Sequence, residues 1–240
     1  VILYFRHDII RILGAWFGSL FGKEGKDFKS RMGAHNRDTQ MGWFIIIGTL
    51  PILIAGLLFK DAIESTLRNL WITVTVLIIF GILLWVVDAR AKQVKTMDEM
   101  TWKDALIFGI GQMLALIPGV SRSGGTITFG RAMGYTREAA VRVSFLMAIP
   151  AVFGAGILEA VSAVKDVAAG NAGMFPGWGA TIAATIVAFV VGYVVIIGFL
   201  KFVSTFSYKA FAIYRIALAV VVALLLICGV LHPTEVVAAA

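Results

Sequence analysis

The residues in this chain best suited to chemistry lie together in one short run, Pro118-Gly119-Val120-Ser121-Arg122-Ser123-Gly124-Gly125-Thr126. Arg122 offers five donors in a planar fork that matches phosphate oxygens two at a time. Ser121, Ser123, Thr126 and Thr128 add hydroxyl donors. Gly119, Gly124 and Gly125 lack a Cβ, so their backbone N–H groups can approach a ligand closely. A short helix should follow the turn, and a helix N-terminus favours anions. Fixed charge, hydroxyls and bare backbone together suit an anion, and a phosphate above all. A plainer reading stands beside this one. Arg122 can pair with a helix C-terminus while the serines satisfy backbone groups, and small hydroxyl residues also promote helix packing in membranes.

Around the turn the supporting cast is thin. Gln112 lies nine residues before Ser121 and faces either a cavity or a neighbouring helix. Arg142 and Ser144 open a later apolar run and can back the turn from behind, though Arg142 can equally snorkel to an interface. Glu138 is placed to pair with Arg142 at i, i+4 spacing. Tyr214 and Arg215 read as a snorkelling anchor. His7, His35 and His232 have no metal-ligand partner at a recognisable spacing, and no metal site is visible. No paired carboxylates occur in an apolar run. A serine acts as a nucleophile only with a base nearby. The turn therefore supplies charge neutralisation for phosphate chemistry, but no base or metal-bound water is legible beside it.

The elements that carry this turn belong to a membrane. The chain is 60% hydrophobic and 15% charged, with a mean hydropathy of +0.92. Its apolar runs have the length of transmembrane helices. Spans are predicted at Trp43–Phe59, Leu70–Val87, Ala139–Val161, Trp178–Leu200 and Ala210–Leu231. Ile9 to Phe21 is amphipathic and suits the membrane surface. Between the second and third spans, Ala105–Ile117 and Thr126–Met133 are too short to cross. They predict a re-entrant hairpin over about 104–134, with the polar turn at its tip. Non-helical backbone at that depth must be buried in protein or line a wet cavity.

The fold class that follows is an all-α polytopic helical bundle, a single membrane domain over 1–240 with a re-entrant hairpin. The net charge of +7 sits mainly in the loops 6–42, 88–103 and 201–209. The positive-inside rule makes those loops cytoplasmic. The hairpin then enters from the cytoplasmic side, and its tip is reached from a cavity opening outward. This distribution, with no nucleic-acid motif, argues against DNA or RNA as a partner. Cys228 is the single cysteine, which excludes an internal disulfide. Gly42-Trp43 and Gly177-Trp178 each open a span, which suggests half of an inverted repeat. Val1–Arg6 reads as the last turns of a helix, so the chain is expected to start inside a transmembrane segment.

The stretch from Gln112 to Gly125, within GQMLALIPGVSRSGGT, resembles the bacterial undecaprenyl-diphosphate phosphatase family of membrane proteins linked to bacitracin resistance. Arg142-Val143-Ser144-Phe145, Ile149-Pro150, and Gly48-Thr49-Leu50-Pro51 with Gly56 extend the likeness over essentially the whole chain. The resemblance implies removal of the terminal phosphate of undecaprenyl diphosphate, which regenerates the lipid carrier for peptidoglycan. It implies a long-chain isoprenyl diphosphate as substrate, a divalent cation (Mg or Ca) as cofactor, and the bacterial plasma (inner) membrane as location. It leaves room for a homo-oligomer. Ser121, Arg122, Ser123 and Thr126 fall on the family's phosphate-binding positions. The family's early glutamate-rich motif and Ser-Ser-x-Gly-His turn do not occur here, so this stretch is expected to be inactive by itself. The alternative is an inverted-repeat transporter or a flippase for a phosphorylated lipid.

Overall fold

The computed structural model describes residues 1–169 and 177–234, and these are helical with short connections. The helices are α1 (Arg6–Leu20), α2 (Phe28–Arg31), α3 (Arg37–Leu58), α4 (Lys60–Glu64), α5 (Leu70–Arg90), α6 (Trp102–Met113), α7 (Arg122–Ala132), α8 (Arg137–Ala168), α9 (Trp178–Thr205) and α10 (Lys209–Ile227). Among the described residues, α3, α5, α8, α9 and α10 are long and apolar enough to cross a membrane. The chain is thus an all-α, multi-pass membrane protein. Part of the 162–177 loop lies outside the described residues.

Helix starts follow their caps. Asn36 accepts from the N–H groups of Asp38 and Thr39, which starts α3 at Arg37. Gly42-Trp43 therefore does not open this span, as the repeat reading expects. Gly42 sits inside α3 with Trp16 of α1 against it, whereas Gly177 caps α9 at φ 87° with open space around it. The two Gly-Trp pairs do different work. Asn69 caps α5, the Thr101–Asp104 capping box starts α6, and Thr136 caps α8. Each cap satisfies an otherwise orphaned donor.

Two short helices form a hairpin where the sequence predicts one. α6 rises to Met113, a single 3-10 turn covers Leu114–Leu116, and α7 descends from Arg122. Bare backbone makes this arrangement compact. A Cβ on Gly111 would lie 3.0 Å from the carbonyl oxygen of Gly125, and one on Gly125 would collide with that of Gly111. α6 packs on α3 in the same way. A Cβ on Gly109 would run into the Gly48 backbone, and one on Gly48 would lie 2.9 Å from the Ala105 carbonyl oxygen. Small residues allow such close crossings in membranes.

The hairpin is anchored at both ends against α5. At its base, the backbone N–H groups of Val94 and Lys95 both donate to Gly134, and Thr136 N–H donates to Lys95. Arg131 binds Asp88 there. At its tip, Gly119 lies against Thr73; a Cβ at 119 would stand 2.7 Å from the Thr73 carbonyl oxygen. Asp88 and Thr73 are about 22 Å apart along α5 at 1.5 Å per residue, so the hairpin reaches most of the way along that helix. Phe108, Tyr135, Ala140, Val143 and Met147 fill the core behind it.

Candidate functional site

The tip is built around the start of α7. Ser121 is its N-cap and holds φ 67°, ψ 122°, a conformation that non-glycine residues rarely adopt and that clusters at functional sites. Its Oγ accepts from the N–H of Gly124 at 3.3 Å, and its carbonyl accepts from Gly125 at 2.8 Å. The N–H groups of Gly124 and Gly125 are thus engaged within the turn, and neither is offered to a ligand as the sequence reading expects. The first two amides of the helix, Arg122 and Ser123, have no hydrogen-bond partner among the described residues. Gly125 serves the α6–α7 crossing instead. Gly119 serves the approach to α5 and holds φ 98°, which suits glycine.

The side chains divide in two. Thr126 is fully buried, and its hydroxyl donates to the Arg122 carbonyl at 2.7 Å. Thr128 donates to the Gly124 carbonyl at 2.7 Å. These two hydroxyls brace the first turn of α7. The Arg122 guanidinium and the Ser123 hydroxyl, by contrast, make no hydrogen bond to any described residue, and both side chains are half-buried. The plainer reading, with Arg122 paired to a helix C-terminus, does not hold in this arrangement. Arg122 instead enters a cavity of about 610 Å³ lined by Ala148, Ile149, Val152 and Phe153 of α8 and Phe189 of α9. Among the residues that line it, Arg122 has the one charged side chain.

A second arginine reaches the tip, where the sequence alone does not place it. Arg215 of α10 is not a snorkelling anchor. It is 8% exposed, and one Nη donates to the carbonyl of Gly119. Its other Nη lies 2.8 Å from where a Cβ on Gly124 would stand, so the bare backbone of Gly124 is what admits it. Its Nε is buried without a partner. The one available signal was an arginine inside an apolar run, which marks a functional position by default.

Other candidates lie elsewhere. Arg142 pairs with Asp8 of α1 at 2.9 Å and Glu138 at 3.4 Å, so its partners are on α1 and α8 and it does not back the turn. Ser144 is buried in α8, with no hydrogen bond to the tip. Gln112 is fully buried on α6, and both ends of its amide lack a partner. A buried amide left that way is costly unless water or a ligand meets it.

Among the described residues, no three His, Cys, Asp or Glu side chains gather where they could hold a metal ion. At the tip, the ionisable side chains are two guanidiniums, which repel a cation. The donor set does not fit a divalent metal.

Comparison with known proteins agrees with the motif. A family model described as "Bacitracin resistance protein BacA" matches residues 1–221. A protein of Bifidobacterium animalis subsp. lactis named undecaprenyl-diphosphatase is 76% identical over 235 residues, covering 98% of this chain and 79% of that protein. One of the same name from Bifidobacterium longum (strain DJO10A) is 68% identical, covering 100% of this chain and 82% of that protein. Another, from Paenarthrobacter aurescens, is 52% identical over 94% of this chain and 78% of its own length.

Proposed function

We propose, from the premise that the chain belongs to the bacitracin resistance protein BacA family, that its re-entrant tip binds the diphosphate of undecaprenyl diphosphate for hydrolysis. The reaction yields undecaprenyl phosphate and inorganic phosphate. In it, the oxygen of water joins the terminal phosphorus, and the bond from that phosphorus to the bridging oxygen breaks. The bridging oxygen leaves with the lipid. The setting is the bacterial plasma membrane, where the recycled carrier serves peptidoglycan synthesis.

The observation that carries this reading is the unpaired Arg122 guanidinium, held at the first position of α7 and facing an apolar cavity. A phosphate seated there meets the guanidinium, the Ser123 hydroxyl and the free amides of Arg122 and Ser123. As the bridging bond breaks, negative charge grows on the departing oxygen and spreads over the terminal phosphoryl group. Donors already in place stabilise that charge without reorganising. Thr126 and Thr128 hold the backbone that carries them. The apolar walls of the cavity suit the isoprenyl chain next to its headgroup. Ser121 has a hydroxyl proton to donate to a phosphate oxygen, and its part in this reading is binding.

The test is equilibrium binding of undecaprenyl diphosphate to the purified protein in detergent, with phosphate release followed in parallel. Arg122→Ala should weaken binding by about 100-fold, ~2.7 kcal/mol, and lower any release in proportion. Unchanged binding by a folded Arg122→Ala protein would sink the assignment. Binding accompanied by movement of the intact diphosphate across a vesicle bilayer would favour the flippase alternative.

A further inference from the structure

We infer that Arg215 is a specificity-determining residue, which takes the second phosphate and sets the preference for a diphosphate over a monophosphate. This rests on the reading that the tip binds an isoprenyl diphosphate.

The inference begins with charge. Arg131, Arg137 and Arg142 are each joined to a carboxylate. Arg122 and Arg215 have none among the described residues. A guanidinium cannot shed its proton at ordinary pH. Two guanidiniums at one helix start, with no carboxylate beside them among the described residues, match an anion of more than one charge. A phosphate monoester carries at most two negative charges, and an isoprenyl diphosphate carries up to three, spread over two phosphorus centres.

Placement supports a division of labour. Arg122 projects toward α8 and the apolar cavity. Arg215 comes from α10 and lies over Gly124 and Gly119. Arg122 belongs to α7 and Arg215 to α10, so the two guanidiniums reach the turn from different elements. Arg215 is also held in place before any ligand arrives. One Nη is committed to the Gly119 carbonyl, while Nε is more than nine-tenths buried and unpartnered. An unmet donor at that depth is costly, and a phosphate oxygen would relieve it. Burial also fixes the guanidinium without further loss of side-chain freedom on binding.

A consequence for turnover follows. Hydrolysis leaves a lipid monophosphate that engages one guanidinium well and the other poorly. The product is thus held more weakly than the substrate, and the same arrangement that selects the diphosphate promotes release of the monophosphate.

The experiment compares Arg215→Gln and Arg215→Lys with the unmodified chain in detergent. It measures dissociation constants for undecaprenyl diphosphate and undecaprenyl monophosphate separately. Both substituted side chains can still donate to the Gly119 carbonyl, so a purely structural role would affect them alike. Arg215→Gln should lose roughly tenfold or more in diphosphate affinity and change monophosphate affinity by less than about threefold. The diphosphate-to-monophosphate preference should fall accordingly. Arg215→Lys, which keeps the charge as a point, should lie between the two. Equal losses for both lipids, or an unchanged preference in Arg215→Gln, would overturn the inference. So would a variant too unstable to bind either lipid when Arg215→Lys folds and keeps the full preference. If the unmodified chain binds no diphosphate, the function proposed for the tip fails first. If it binds and only the preference is unmoved, the fault lies with Arg215 alone.

Discussion

The base and the tip of the re-entrant hairpin are made of similar materials and treat charge in opposite ways. At the base, Asp88 accepts from Arg131 Nε at 2.8 Å, from Arg137 Nη2 at 2.9 Å and from the backbone N–H of Tyr208 at 3.1 Å. Arg131 and Asp88 are both almost wholly buried. One carboxylate thereby joins α5, α7, α8 and the residue that precedes α10. Nearby, Asp104 gathers the Thr101 hydroxyl and N–H, the Tyr135 hydroxyl and Lys95. At the tip, Arg122 and Arg215 have no such partner among the described residues. The difference separates arginines that hold the fold from arginines that wait for an anion. Burial alone would not make that distinction, since Arg131 and Arg215 are both buried.

The most forceful way to break the comparison is to remove the carboxylate at the base. Asp88→Ala leaves Arg131 buried without a counter-ion and should cost about 3–5 kcal/mol of stability. A fall in the thermal unfolding midpoint in detergent would register it. A midpoint that stays put would mean that the base does not depend on this pair. The contrasting change at the tip is Arg122→Ala. It should leave that midpoint almost unmoved while removing about 100-fold in diphosphate binding, ~2.7 kcal/mol. If it unfolds the protein instead, the tip is structural and the contrast collapses.

A third change probes the backbone that joins the two regions. Gly125→Ala puts a methyl into the Gly111 carbonyl at the crossing of α6 and α7. Overpacking of this kind costs about 1–3 kcal/mol, and the displaced α7 should weaken diphosphate binding as well. Loss of binding with full stability, or the reverse, would separate the scaffold from the site.

The smallest effect concerns pH. Burial raises the Asp104 carboxyl, but the hydrogen bonds from Thr101 and Tyr135, with the Lys95 charge, outweigh it and hold the carboxyl below its ordinary value. A carboxylate whose pKa is lowered on folding contributes stability that is present above its unfolded value. That stability is lost as pH falls through the folded one. Tyr135→Phe removes one of those hydrogen bonds, about 1 kcal/mol. It should move the acid end of the stability profile upward, toward the ordinary carboxylate range. An acid limit that does not shift would remove the Tyr135 bond from the account. Tyr135 itself stays protonated throughout, because burial and the adjacent Asp104 carboxylate push its hydroxyl well above the usual tyrosine range.

Much of the architecture was readable in advance because lipid leaves few options. A backbone in hydrocarbon must satisfy its own hydrogen bonds, so long apolar runs become spanning helices and short ones turn back. The hairpin and the Ser121–Thr126 turn are local features of this kind. Their residue types, spacing and breakers Pro118 and Gly119 lie within one short segment. The roles of individual glycines were less legible. Gly124 and Gly125 look alike beside a phosphate motif, yet one makes room for Arg215 and the other for the backbone of Gly111. Gly42-Trp43 looked like a helix start, yet the cap at Asn36 lies upstream of it.

Neighbouring residues were enough to place the helices, the short hairpin between the second and third spans, and a permanent cation with hydroxyls at its turn. They suffice because hydropathy, capping and helix breaking act between near neighbours. Which arginine meets a carboxylate and which is left for a ligand depends on long-range packing. Arg131 meets Asp88, and Arg215 meets Gly119, across separations of 43 and 96 residues. Contacts that distant depend on how α5, α7 and α10 pack together. Ion pairing falls away over a few ångströms once a partner turns aside. Those arginines carry the same charge and sit in similar apolar settings along the chain, so only their packed positions tell structure from site.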